Sequence, residues 1–154
     1  MLFRSYECPY CGRAHPIVKA IQKAIGPRLR FVFRNFPLSE IHPNASNAAE
    51  AAEAAGEQGK FWEMHDAIFE HQEALRPPDL AAYAAALGLD SDRLAGELKS
   101  HTHAARVKED FMSGVRSGVN GTPTFFINGQ RHDAPWDYQD LMAGIEAAMG
   151  TAVE

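Results

Sequence analysis

Strand-like sequence stands at both ends of this chain, and a long Ala-rich helical stretch separates the two. A chain of 154 residues ordered in this way can share one sheet only if its ends come together and the helical stretch is set aside. Leu2 to Tyr6 is short, apolar and aromatic enough for a buried strand. Pro9 suits the first turn of a helix, and Ile17, Val18, Ala20, Ile21, Ala24 and Ile25 follow at helical spacing until Gly26-Pro27 stops them. Leu29 to Phe36 reads as a second strand, closed by Pro37. The opening is therefore β-α-β, with a helix long enough for a parallel crossover.

From about His42 to Ser117 the periodicity is helical, with breaks at Gly56-Glu57-Gln58-Gly59, Arg76-Pro77-Pro78 and Gly88-Leu89-Asp90-Ser91. These breaks predict about five helices, with Asp79 and Asp90 or Ser91 as N-caps. Phe61, Met64, His65, Ile68 and Phe69 form an apolar stripe. Phe61 and Trp62 are expected in the core rather than gating a groove. His101 and His103, two apart on a helix, are expected to point apart into solvent rather than to pair on a metal. Strand signal returns at Thr124 to Ile127, and Asn128-Gly129 marks a tight hairpin into Gln130-Arg131-His132. Tyr138, Leu141, Met142, Ile145 and Met149 make a last amphipathic helix. The ending is β-β-α.

Composition narrows the function. With 45% hydrophobic and 23% charged residues the chain can bury a core without staples. A net charge of −5 with scattered basic residues gives no nucleic-acid footprint, and no apolar run approaches the roughly 20 residues of a membrane span. Met1 to Tyr6 leaves no room for the apolar core of a leader. As written, the expected location is cytoplasmic, or periplasmic or extracellular if a leader has been trimmed.

The two cysteines lie three apart, in Glu7-Cys8-Pro9-Tyr10-Cys11-Gly12. A bridge between them closes too small a loop to stabilise much, so its value is chemical. At a helix N-terminus, Cys8 gains unpaired N–H groups and the helix dipole, which favour its thiolate. Cys11 lies one turn on, close enough to resolve a mixed disulfide. The bland readings are a zinc half-site or two small core residues. Zinc wants four ligands, and no second Cys pair exists; His15, four residues after Cys11, is a weak third ligand and better placed to orient or pack. Glu7 would raise the pKa of Cys8, and a protonated His15 would lower it. Thr122-Pro123 opens the later strand; a cis bond there would aim Thr122 across the cysteines, offering N–H and C=O groups to a substrate peptide.

With both motifs placed, the chain resembles the DsbA-like family of thioredoxin-fold oxidoreductases. The matching stretches are Tyr6 to Cys11 with His15-Pro16, Phe33 to Leu38, Gly59 to Asp66, and Gly121 to Gly129. The resemblance implies an α/β fold: a thioredoxin-like core, β-α-β then β-β-α, interrupted by an all-helical insertion. The core would take residues 1–40 and 119–154, and the insertion 41–118. It implies thiol–disulfide exchange with Cys8 nucleophilic, Cys11 resolving and Pro123 cis. Pro9, Tyr10, Thr122 and Pro123 would meet substrate, with Glu7 and His15 in support. The implied partners are protein or small-molecule thiols and disulfides, and a redox partner that recycles the pair; no cofactor and no metal is called for. The best-known periplasmic members have His where this chain has Tyr10, and Pro9-Tyr10 is the dipeptide of glutaredoxins.

Two other functions compete. A glutathione-dependent transferase of the kappa type has a related fold but typically uses a serine and lacks the second cysteine, so Cys11 argues against it. A non-catalytic reading makes the chain a client-binding, chaperone-like module or the detached tail domain of a membrane transporter.

Overall fold

The computed structural model describes residues 1–153, and side chains as far as Gly150. Four strands form one sheet in the order β2-β1-β3-β4. The central strand, β1 (Leu2–Arg4), is buried along its whole length, which explains its unbroken rather than alternating apolar character at Leu2 and Phe3. β1 runs parallel to β2 (Phe33–Asn35), pairing Leu2 with Phe33 and Arg4 with Asn35. It runs antiparallel to β3 (Thr124–Ile127), with Leu2 opposite Phe125. β3 turns back into β4 (Gln130–Arg131) through Asn128 and Gly129, whose φ values of 49° and 82° are those a two-residue hairpin turn demands.

Both leading strands are shorter than the sequence predicts. β1 stops at Arg4 because the chain then turns into the cysteine segment, with Cys8 N–H bonded to Ser5 O at 3.2 Å. β2 therefore has only three partners for its ladder, although Val32 O and Phe36 N–H still bond to Leu2 and Arg4. Gly26–Arg28, where the helix is expected to stop, form a 3₁₀ turn.

The helix α1 (Pro9–Ile25) crosses from β1 to β2 and packs Ala14, Val18, Ile21 and Ile25 against Leu2 and Phe125. The final helix, α7 (Tyr138–Val153), adds Leu141 to the same layer. Between β2 and β3 come the five helices that the sequence predicts: α2 (Ala45–Glu57), α3 (Phe61–Glu70), α4 (Pro77–Ala86), α5 (Ser91–Ser100) and α6 (Ala104–Arg116). The alanine bias has a packing cause. Ala48, Ala49, Ala51, Ala52, Ala54 and Ala55 of α2 are all at most 1% exposed, so this helix is hemmed in nearly all round and only small side chains fit.

α6 covers the other face of the sheet. A Cβ on Gly114 would sit 2.8 Å from the Phe36 ring, so the glycine lets the helix approach the Phe3–Phe36 pair closely. The buried Asp110 fastens α6 to β2, accepting from Asn35 N–H and Nδ2 at 3.1 Å each and from Arg34 and Arg106.

Asp90 caps α5 as expected, accepting from Arg93 N–H at 3.0 Å. Asp79 is not an N-cap: Pro77 and Pro78 take the first helical positions, and the Asp79 carboxylate reaches back to Arg76 N–H at 3.1 Å. Trp62 is not a core residue; it is 43% exposed against Phe31 and Phe61. His101 and His103 do lie apart, but in the turn between α5 and α6 rather than on a helix, and His103 is largely covered, 2.7 Å from Glu97. Among the described residues no helix is long and apolar enough to cross a membrane.

Candidate thiol–disulfide site

The loop after β1 delivers Cys8 to the N-cap of α1, with φ −71° and ψ 123°, and Pro9 begins the helix. The first turn closes through Gly12 N–H to Cys8 O at 3.1 Å. Gln72, just beyond α3, holds this turn from the side, its Nε2 donating at 2.8 Å to both Tyr6 O and Cys8 O. A second segment, remote in sequence, completes the site. The Thr122–Pro123 bond is cis, and the Cys8 thiol donates to Thr122 O at 3.7 Å.

Both cysteines are free, and both are covered: Cys8 is 3% exposed and Cys11 fully buried. Their acidities diverge. Cys8 is pulled from 9.0 down to about 5, chiefly by a hydrogen bond from Cys11, against the cost of burial, with help from Thr122 and the backbone N–H groups of Cys11 and Tyr10. Cys11 is pushed well above the usual thiol range, first by burial and then by the charge and hydrogen bond of Cys8. One sulfur is thus set to ionise and the other to hold its proton.

Of the two supporting residues, His15 takes the packing role expected of it, while Glu7 turns to another partner. Glu7 does not face Cys8 as a charge; its Oε1 accepts from Asn44 N–H at 3.2 Å and ties down the loop before α2. His15 cannot act as a nearby cation at neutral pH, because burial, then Arg4, lower its pKa to about 4. Its ring instead stacks on Phe69 at 5.2 Å. Tyr10 is 56% exposed beside the cysteines, with the Arg13 guanidinium 4.4 Å from its ring centre.

Sequence reading missed the polar layer beneath the pair. Arg4, 1% exposed, donates from Nη2 to His65 Nε2 at 2.7 Å, and His65 Nδ1 lies 2.8 Å from Tyr6 OH. A guanidinium can only donate, so His65 Nε2 must be the acceptor and Nδ1 carries the proton. Burial followed by Arg4 holds His65 neutral. His15, His65 and Asp66 bring ligand-type atoms within 4.8 Å of one another. Both His65 nitrogens are engaged, however, one of them by a cation, so the trio does not fit a metal.

A family model described as thioredoxin matches residues 1–147. A thioredoxin-like oxidoreductase from Silicibacter pomeroyi superposes with a TM-score of 0.84 at 27% identity, covering 97% of this chain and 84% of that one. BdbD from Bacillus subtilis superposes with a TM-score of 0.87 at 25% identity, covering 97% and 85%. The chain belongs to the thioredoxin family and has the fold of DsbA-like thiol–disulfide oxidoreductases. In sequence it is also 46% identical, over 97% of its length, to a protein from Salinispora tropica named Na(+)/H(+) antiporter NhaA 3. It spans only 23% of that protein, less than a quarter of its length.

Proposed function

We propose that the chain catalyses thiol–disulfide exchange at Cys8 and Cys11, with protein or small-molecule disulfides and thiols as substrates and a separate redox partner restoring the pair. In the reductive direction the Cys8 thiolate attacks a substrate disulfide, forming a mixed disulfide and releasing one substrate thiolate. Cys11 then loses its proton and attacks Cys8 Sγ; the second substrate thiolate leaves, and the pair ends as a disulfide two electrons poorer. The opposite flow runs the same steps backwards. The observation that carries this reading is the geometry of the pair, Cys8 at the α1 N-cap against Thr122 O and Cys11 fully buried one turn on, an arrangement that draws Cys8 down to about 5 and leaves Cys11 protonated. Thr122 O and the exposed Tyr10 flank the reacting sulfur and are the proposed substrate contacts, with Pro9 and Pro123 shaping the two turns. Turnover of a reduced dithiol peptide with oxidised glutathione tests it: the native chain should accelerate oxidation and Cys8→Ser should not. Equal rates for the two would refute it.

A second reading draws on the antiporter-named relative, to a segment of which this chain is similar. In this reading the chain is the tail domain of a membrane transporter, or a module that binds clients without catalysing exchange. Client binding that survives Cys8→Ser undiminished, without catalysis by the native chain, would favour it.

A further inference from the structure

Gly12 lies inside α1, and its φ is not among the positive ones, so nothing in its own backbone calls for glycine. Glycine within a helix is destabilising relative to alanine. What the missing side chain leaves is room for an amide: a Cβ on Gly12 would collide with Gln72 Oε1 and stand 2.7 Å from Gln72 Cδ. Gln72 comes from the turn after α3, in the helical insertion. Its Nε2 donates at 2.8 Å to Tyr6 O and at 2.8 Å to Cys8 O, and so grips the chain on both sides of Glu7. Cys8 O also accepts the first bond of the helix, from Gly12 N–H at 3.1 Å. The same segment is tied to the loop before α2, through Leu38 N–H to Ser5 Oγ at 3.4 Å and Asn44 N–H to Glu7 Oε1 at 3.2 Å.

Resting on the exchange reading above, we infer that Gln72 is a positioning residue for the attacking thiol: its amide, admitted by Gly12, fixes the N-cap of α1 and with it the seat of the Cys8 sulfur between Thr122 O and the first N–H groups of the helix. Cys8 is where the chain changes direction, extended at φ −71° and ψ 123° while Pro9 is already helical. Proline has no N–H, so the sulfur depends on the backbone donors of Tyr10 and Cys11. Those donors move with the helix, whereas the sulfur moves with the Cys8 backbone. The clamp joins the two at one carbonyl. Without it Gly12 N–H still closes the turn and α1 persists, but the segment from Tyr6 to Cys8 can tilt and carry Sγ away from its donors. Gln72 touches no reacting atom and acts through Cys8. The groups that act on the Cys8 sulfur are Cys11, Thr122 and the two backbone donors, and of these Cys11 is the titratable one.

Iodoacetamide alkylation of the reduced protein across pH, with thermal melts in parallel, tests this in the native chain, Gln72→Met, Gly12→Ala and the double variant. Methionine keeps the length of the side chain and removes both donors. Alanine at position 12 keeps the donors and expels them. Neither substitution changes a charge. Each single variant should raise the midpoint of Cys8 alkylation above its native value of about 5 by about one unit, the worth of one ordinary hydrogen bond in acidity. The double variant should match the singles, because one clamp can be lost only once. An unchanged midpoint in either single variant, whatever its melting temperature, would overturn the inference, since a role in stability alone moves the melt and not the midpoint. A double variant shifted by the sum of the two singles would overturn it as well. A native midpoint near 9.0 would instead refute the exchange reading, and this inference with it. Should the variants fail to fold, the native chain decides by NMR. The side-chain amide signals of Gln72 should shift as Cys8 ionises, and signals that stay flat across the Cys8 midpoint overturn the inference.

Discussion

The Cys8 sulfur stands 3.7 Å from the carbonyl oxygen of Thr122, a residue 114 positions further along the chain. The α1 N-terminus and the Thr122 loop meet at this atom, and its acidity comes first from Cys11, then from the Thr122 side chain and the backbone N–H groups of Cys11 and Tyr10. Alkylation of the reduced protein with iodoacetamide should therefore rise with pH around a midpoint near 5, with Cys8 labelled and Cys11 spared. A midpoint near the ordinary 9.0, or preferential labelling of Cys11, would contradict this site.

The same shift makes the stability of the reduced form depend on pH. The folded-state pKa of Cys8 is lower than that of an unfolded thiol, so between about 5 and 9.0 the unfolded chain binds more protons. The stabilisation is complete above the unfolded value and disappears as pH falls through the folded one. The oxidised form has no such group to titrate. Paired thermal melts should show the Tm of the reduced form, relative to the oxidised form, rising from pH 5 towards 9. A flat difference would mean that the Cys8 thiolate is not stabilised by folding.

Redox poise follows from the same sulfur. A pKa of about 5 lies above the roughly 3.5 of the strongest oxidants of this family, so the reduced form gains less and the couple is less oxidising. Tyr10 supplies no positive charge between the cysteines to change that. Equilibration with glutathione buffers should give a potential nearer roughly −200 to −230 mV than roughly −120 mV. A value near the latter would show that acidity at Cys8 does not set the poise.

Asp110 tests how the sheet depends on α6. Its carboxylate is 1% exposed and satisfies Asn35 at two positions besides two arginines. Asp110→Ala leaves the buried Asn35 N–H unsatisfied and should cost about 3 kcal/mol, a fall in Tm of roughly 6–12 °C. A loss under about 1 kcal/mol would remove Asp110 from its place in the fold.

Local chemistry made much of this molecule readable in advance. Gly26-Pro27 ended α1, Asn128-Gly129 turned the hairpin, and the breaks at Gly59, Pro77-Pro78 and Gly88 separated the helices α2 to α5. Each signal acts within a few residues of itself. The cysteine pair was legible for the same reason, since a helix N-cap is a local device. The polar layer was not. Arg4 in an apolar strand gives no hint of burial, because its partner His65 and its platform Phe69 arrive more than sixty residues later. The charge effects considered for Glu7 and for a protonated His15 rested on nearness in sequence, whereas the fold turns Glu7 to Asn44 and packs His15 in neutral form on Phe69. The Gln72 clamp on Tyr6 O and Cys8 O is likewise a meeting of distant segments with no sequence signature.

The central claim, Cys8 attacking and Cys11 resolving, is tested most directly by trapping. Cys11→Ser and Cys8→Ser proteins, each incubated with a disulfide-bonded peptide, are separated without reductant and weighed by mass spectrometry. Without its resolving thiol the Cys11→Ser protein has no internal exit from the intermediate, so it should accumulate as a mixed disulfide through Cys8. The Cys8→Ser protein, with only a buried and protonated thiol left, should remain unmodified. Equal trapping by both, or trapping by Cys8→Ser alone, would contradict the assignment.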